Sequence, residues 1–527
     1  MPRSPLFHQF KRLLHQAHQK NLLTSADSQR SLCFWTRRRF IRTAALTSGG
    51  VVATQAIARL RVAQSSTSPN VAIIGGGLAG LNAAYQLQKE GIQAKIYEAR
   101  GRLGGRMYTQ TDVLQTGQYL DFGGTFINSD HEDLLSLVEE LDLTLIGLTQ
   151  TTIEASPFPT TGFYLGKASR TEAEIAESLR PLAQQIAVDA DRLDEDFEQY
   201  APLLDQLSVA DYLDQHQDKI VEPLIRALIN SVIQSEYGVE SSQSSALQLI
   251  FALPAVEGNT VNLLSNVDEA YTVEGGSGQV IDRLSQKLSG QIQLRKCLTQ
   301  VATAQTGFQL TFADGDVVTA DYVILTVPPA ILQNIELAVA LPSDFKRFIQ
   351  AVDLGRNDKL FAQFDEKVWQ QADGFVDQLW CDGPFAVVWE ATRPRTNMND
   401  GTLVFFYGGE QSEALQTEST RSQGEKALAV LEAFIPESQS ASTHQFVRTH
   451  WFGEPYTQGA YTNFKPGQLS EFAQFLYYEA DDPEERQDVA FGGLVFAGEL
   501  FSDEYYGYMN GAAQTGRLAA DVILRQQ

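Results

Sequence analysis

Hydrophobic and polar positions change rhythm several times along the chain, and the changes divide it into elements. Asn70 to Ile74 is a short apolar run, a helical pattern follows through Glu90, Gly91 interrupts it, and a second strand ends in Ile96-Tyr97-Glu98. That order predicts a βαβ opening. From about Glu132 to Leu263 apolar residues recur mostly at helical spacing with acids and glutamines between them, which predicts a helical region with solvated outer faces. The alternating run Ile292 to Val301 predicts a strand, Tyr322 to Val327 before Pro328-Pro329 a buried strand ending in a turn, and Ala512 to Leu524 a helix.

A chain of 527 residues with 43% hydrophobic residues exceeds what one core usually supports, so two domains are expected. Charge separates the beginning from the rest. Residues 1–63 hold eleven Lys or Arg against Asp27, a net of +10, which leaves the remainder at −35 of the formal −25. That balance argues against a nucleic-acid surface and for either solubility or the steering of small cations. Cys33, Cys297 and Cys381 show no metal spacing and no disulfide framework.

Thr36-Arg37-Arg38-Arg39-Phe40-Ile41-Arg42 resembles a twin-arginine export signal, followed by a mildly apolar run, Ala44 to Ala58, with small residues at Ala56 and Ala58 for cleavage. Fifteen residues are too few for an ordinary membrane span. Export of a folded protein is expected, to a periplasm, a lumen or the outside; the alternative is a basic tail without such a role.

Gly75-Gly76-Gly77-Leu78-Ala79-Gly80 fills the first strand-to-helix turn. Gly75 permits the tight turn, Gly77 lets backbone approach a pyrophosphate at the helix N-terminus, and Gly80 allows helix to pack closely on strand. Glu98 follows where an acid accepts from ribose hydroxyls. A bound dinucleotide is predicted, and on this element alone NAD and FAD both remain open.

The segments that follow decide between them. Glu98-Ala99-Arg100-Gly101-Arg102-Leu103-Gly104-Gly105-Arg106 carries a Gly pair and an Arg after the acid. Gly123-Gly124 is a second pair, and Trp451, Tyr461, Gly498-Glu499 and Tyr508-Met509 follow near the end. From about Pro69 onward these motifs resemble the flavin amine oxidases, a family including monoamine, polyamine and L-amino-acid oxidases. The resemblance implies an FAD-binding Rossmann-like domain of α/β class, glutathione-reductase-like and discontinuous (69–149, 270–345 and 453–527), interleaved with an α+β substrate-binding domain (150–269 and 346–452). It implies cofactor contacts from Gly75, Gly77, Leu78, Ala79, Gly80, Glu98, Ala99, Arg100, Gly105, Arg106, Gly123, Gly124, Leu298, Trp451, Gly498, Glu499, Tyr508 and Met509. It assigns Lys359 to a water at flavin N5 and Tyr461 with Tyr508 to an aromatic cage; an exposed strand lysine is the plain alternative for Lys359.

The expected reaction is oxidation of an amine C–N bond to an imine, with oxygen as acceptor and hydrogen peroxide released. Ala460 stands where monoamine oxidases carry the cysteine bonded to FAD, so noncovalent FAD is expected. Thr125-Phe126-Ile127-Asn128 lacks the arginine with which many L-amino-acid oxidases clamp a carboxylate, which leaves an oxidase of basic amino acids as the runner-up. A carotenoid desaturase-like enzyme and a flavin-holding protein without turnover are more distant alternatives. The sequence names neither the substrate nor the oligomeric state.

Overall fold

The computed structural model describes residues 68–148, 158–264, 267–372, 374–392, 399–480 and 485–527. The predicted leader, residues 1–63, lies outside them. No helix among the described residues is long and apolar enough to cross a membrane.

Strand β1 (Val71–Ile74) is buried at every position and leads through the glycine turn into helix α1 (Leu78–Lys89), which Glu90 closes before β2 (Lys95–Glu98). β2 pairs with β1 in parallel, β3 (Ile292–Leu294) adds beyond β2, and β4 (Tyr322–Leu325) pairs with β1 on its other side. Leu494–Phe496 continues the parallel set beside β4, and Ala490–Phe491 closes that edge antiparallel. A sheet buried on both faces needs continuous apolar runs, and VAII and YVIL supply them.

The expected strand Ile292 to Val301 divides in two. Arg295 adopts φ +60° and its N–H bonds the carbonyl of Arg100, while that of Lys296 bonds the carbonyl of Glu98. The chain thereby leaves the parallel sheet after Leu294, and Leu298–Thr303 enters a separate four-stranded sheet with 308–312, 317–320 and 336–338. The break sits beside Glu98, so it brings Leu298 toward the dinucleotide turn.

A second large sheet has seven strands in the order 442–448, 357–364, 401–408, 387–390, 378–381, 161–165, 168–170. Its hairpin Thr161–Arg170 interrupts the stretch read as mostly helical; TGFYL is short and bounded by Gly and Pro, too little for helical periodicity to exclude. The long helices of that stretch pack behind this sheet, among them α2 (Pro223–Tyr237). Strand β5 (Asn357–Phe364), buried at all eight positions, is second from one edge of the sheet and pairs with a strand on either side, 401–408 and 442–448. Helix α3 (Met509–Arg525) begins three residues earlier than expected and lies along α1, where Asn82 Nδ2 donates to the Ala513 carbonyl at 2.7 Å.

Candidate active site

One continuous cavity runs from the glycine turn to the seven-stranded sheet. At its first end the N-terminus of α1 has no side-chain cap and no acid in its first turn, so its free amides and positive dipole end face the cavity. A Cβ on Gly77 would meet no atom within 4 Å, whereas one on Gly80 would run into the Gly75 carbonyl. Gly77 therefore leaves room for a ligand, and Gly80, which does not line the cavity, serves packing. Glu98 accepts from the N–H of Gly76 (2.7 Å) and of Arg100 (2.7 Å), which fixes its carboxylate at the cavity wall with lone pairs to spare. An open helix N-terminus beside a fixed carboxylate suits a diphosphate next to a ribose, as in FAD.

The arginines expected here are held by protein partners. Arg100 lies against Glu454 at 3.5 Å and donates to the Thr457 hydroxyl. Arg106 donates to the Ala460 carbonyl and to Glu499, both at 2.7 Å. Buried Glu499 also accepts from Thr462 Oγ1 at 2.9 Å and from the Gly507 N–H at 2.6 Å. It thus ties the GGR segment to the two segments that carry the tyrosines. Leu298, Ala99 and Gly105 line the cavity, together with Cys297, whose thiol is pushed up by burial and by the charge of Glu98.

Further along, Gly123 and Gly124 are glycine for steric reasons. A Cβ on the first would strike the Arg106 carbonyl, and one on the second would press into the Met509 side chain. Lys359 reaches this segment from β5. Its Nζ donates to the carbonyls of Asp121 (2.9 Å) and Gly123 (2.7 Å) and to Thr125 Oγ1 (2.8 Å), with only 7% of the residue exposed. The alternative of an exposed strand lysine is thereby corrected: β5 is flanked by a strand on each side and buried on both faces. Three acceptors on one short segment meet the ammonium, so the lysine ties the 121–125 segment to β5. Burial lowers the Lys359 pKa to about 8, against the opposing charges of Asp121 and Glu269. Asp121 is in turn pushed up by burial, opposed by the Thr109 hydroxyl and by Lys359.

Alternation along β5 explains the rest of that wall. Asn357 and Lys359 line the cavity, while Asp358 between them accepts from the Trp451 N–H at 2.8 Å and from Thr449 Oγ1 at 2.6 Å. Trp451 is held again by its indole N–H on the Phe122 carbonyl at 3.0 Å. Tyr461 and Tyr508 both line the cavity. The Tyr461 hydroxyl donates to the Ser235 carbonyl, and that of Tyr508 to Glu236 Oε2 at 3.2 Å. Burial and the Glu236 charge hold the Tyr461 phenol well above its ordinary pKa, so it stays protonated. Gly75, Leu78, Ala79, Gly498 and Met509 complete the expected lining.

Several lining residues were not singled out from the sequence. Phe126, Trp389 and Phe406 form an aromatic wall, with ring centres 5.8 Å and 5.2 Å apart and Lys359 Nζ 5.7 Å from the Trp389 ring centre. Glu236, Glu269 and Asp377 bring carboxylates to the same end. Their strands and helices read as ordinary amphipathic elements; the helix-ending Tyr237-Gly238 was the nearest signal to Glu236. No group of three or more metal-ligating side chains occurs among the described residues.

A model of flavin containing amine oxidoreductases matches residues 78–524. The chain belongs to that family, whose members are flavin-dependent enzymes that oxidise amines. It is 26% identical over 474 residues to the flavin-containing amine oxidase B of Canis lupus familiaris, covering 86% of each chain. With the flavin-containing amine oxidase A of Sus scrofa it shares 24% over 472 residues, covering 86% of this chain and 85% of that one. In fold it is similar to a putrescine oxidase solved with putrescine bound (TM-score 0.69, 24% identity, 87% of this chain and 99% of that one). It is similar also to the cyclohexylamine oxidase of Brevibacterium oxydans IH-35A (TM-score 0.68, 21% identity, the same coverage).

Proposed function

We propose that the protein oxidises a primary or secondary amine to an imine, with noncovalently bound FAD and with oxygen as the final acceptor. The observation that carries the choice of amine over amino acid is the distribution of charge in the cavity. Among the described lining residues the arginines are Arg100 and Arg106, and both are engaged at the nucleotide end. At the tyrosine end stand Glu236, Glu269 and Asp377, which repel a carboxylate and favour an ammonium, and the one lysine there is bonded to the 121–125 segment. The putrescine bound to the structural relative agrees with a cationic substrate.

When bound, FAD supplies the two-electron acceptor, and its reoxidation by oxygen yields hydrogen peroxide. The protein's own part is placement. Tyr461 and Tyr508, pinned through their hydroxyls to α2, flank the amine with their rings, and Lys359 fixes the 121–125 segment and places positive charge beside it. Noncovalent attachment is supported by Ala460, and the cysteine that lines the cavity, Cys297, lies beside Glu98 at the nucleotide end.

Oxygen consumption with amines, diamines and L-amino acids tests the reading, with peroxide measured alongside. Turnover of amines supports it, and turnover confined to L-amino acids overturns it. Acid precipitation should leave the yellow colour in the supernatant; colour in the pellet contradicts noncovalent FAD. Export rests on Arg37 and Arg38: changing both to Lys should hold the precursor in the cytoplasm, and unaltered export would remove the twin-arginine reading.

A further inference from the structure

The short span that carries Tyr508 is docked on both sides of that residue. Before it, the Tyr505 hydroxyl donates to the Asp130 carbonyl at 3.1 Å; after it, Asn510 Oδ1 accepts from the Leu134 N–H at 2.9 Å. Both partners belong to the start of the helix Glu132–Glu140, and His131 is the residue that caps it. The His131 carbonyl accepts from the Leu135 N–H at 2.8 Å, but its imidazole does not cap the helix. It turns back instead, and its Nδ1 accepts from the Asn128 N–H at 3.2 Å. Asn128 is fixed in turn by its side-chain oxygen, which accepts from the Glu269 N–H at 2.6 Å.

The bracket from 505 to 510 sets Tyr508 against this imidazole. The two ring centres lie 5.5 Å apart with planes at 63°, and a second edge-on contact joins His131 to Tyr505, at 5.6 Å and 88°. Tyr508 lines the cavity and the fully buried His131 does not, so the imidazole stands behind the phenol. Burial holds His131 well below its ordinary pKa, so an uncharged ring backs a site for cations.

The bond from the Tyr508 hydroxyl to Glu236 lies at the end of the axis about which the phenol ring turns. It fixes the tip and leaves the plane of the ring free, whereas an aromatic neighbour packed edge-on fixes the plane. The plane is what a cage presents to its substrate.

We propose that His131 is a positioning residue of the amine site, whose imidazole sets the plane of the Tyr508 ring and acts on the substrate through it. This rests on the amine-oxidising reading given above. A residue that only fills the core at this place would matter equally whether or not residue 508 carried a ring, and that difference is measurable.

The test follows anaerobic bleaching of the FAD-loaded enzyme by a panel of primary amines that includes putrescine and cyclohexylamine. His131→Asn keeps an acceptor for the Asn128 N–H and removes the ring. It should lower the rate of flavin reduction at saturating amine by about 3- to 10-fold, with FAD content unchanged. Placed on Tyr508→Ala, the same substitution should change that rate by less than about 2-fold, because the ring it acts through is gone. An equal loss in both backgrounds, or no loss where Tyr508 is present, overturns the inference. If His131→Asn takes up no FAD, His131→Phe decides. With the ring kept and the acceptor gone, it should reduce within about 2-fold of the unmodified enzyme, and a larger loss or a failure to take up FAD overturns the inference. These outcomes leave the amine-oxidising reading standing, whereas an unmodified enzyme that no amine of the panel bleaches would sink that reading itself.

Discussion

Lys359 is a buried cation whose three donors meet three acceptors on one short segment, so its protonation and the shape of that segment are coupled. Its folded-state pKa, about 8, lies below the ordinary 10.5 of an unfolded chain. Between those values the folded protein binds fewer protons than the unfolded one, so the lysine's burial penalty is full below about pH 8 and is relieved as pH rises. Reoxidation of the reduced enzyme by oxygen should therefore slow above about pH 8, as the positive charge is lost, and Lys359→Met should be slow and flat with pH from 7 to 9. Stopped-flow traces check this, and a variant indistinguishable from the unmodified enzyme removes the lysine from that step. For the tyrosines, Tyr461→Ala or Tyr508→Ala should each cost about 1 to 3 kcal/mol of transition-state stabilisation, roughly 5- to 150-fold in kcat/KM, with Phe costing less. Lys359, Tyr461 and Tyr508 were legible because motif spacing marks them. Glu236 was not: an acid near the end of an amphipathic helix looks like any solvated acid until the partner strand and Tyr508 are in place.

At the scale of elements, the site depends on how α2 and β5 end and begin beside each other. Asn357 supplies the donors that satisfy two carbonyls of the last turn of α2, and the same strand carries Lys359 two residues on. Asn357→Ala should cost about 1 to 3 kcal/mol of stability by leaving those carbonyls without it, and kcat/KM should fall as Ser235 and Glu236 lose their setting. Thermal unfolding with and without added FAD measures the first, and amine kinetics the second. The βαβ opening and the helix before the C-terminus were readable because their periodicity and glycines agree. The break at Arg295 was not, since alternation continues through it and only the docking of Arg295 and Lys296 on residues 98 and 100 forces the turn. The hairpin at 161–170 was hidden for the same reason, being defined by its partner strand 378–381.

Over the whole molecule, charge is distributed in the same sense as in the cavity. The body beyond residue 63 carries −35, and carboxylates stand at the tyrosine end of the cavity. If that field draws cations in, kcat/KM for a diamine should fall with ionic strength more steeply than for a less charged amine, since the Debye length is only about 8 Å at physiological salt. Equal salt dependence would leave the acidity as a feature of solubility. The sign of the charge was readable from composition, but its concentration at one end of one cavity required the fold, because Glu236, Glu269 and Asp377 come from three distant stretches of chain. The most direct test of the central claim is an anaerobic titration of the FAD-loaded protein, followed by the yellow flavin absorbance. Amines or diamines should bleach it to completion and admitted oxygen should restore it with release of peroxide, whereas flavin that stays oxidised with every amine, or that only an L-amino acid bleaches, would contradict the account.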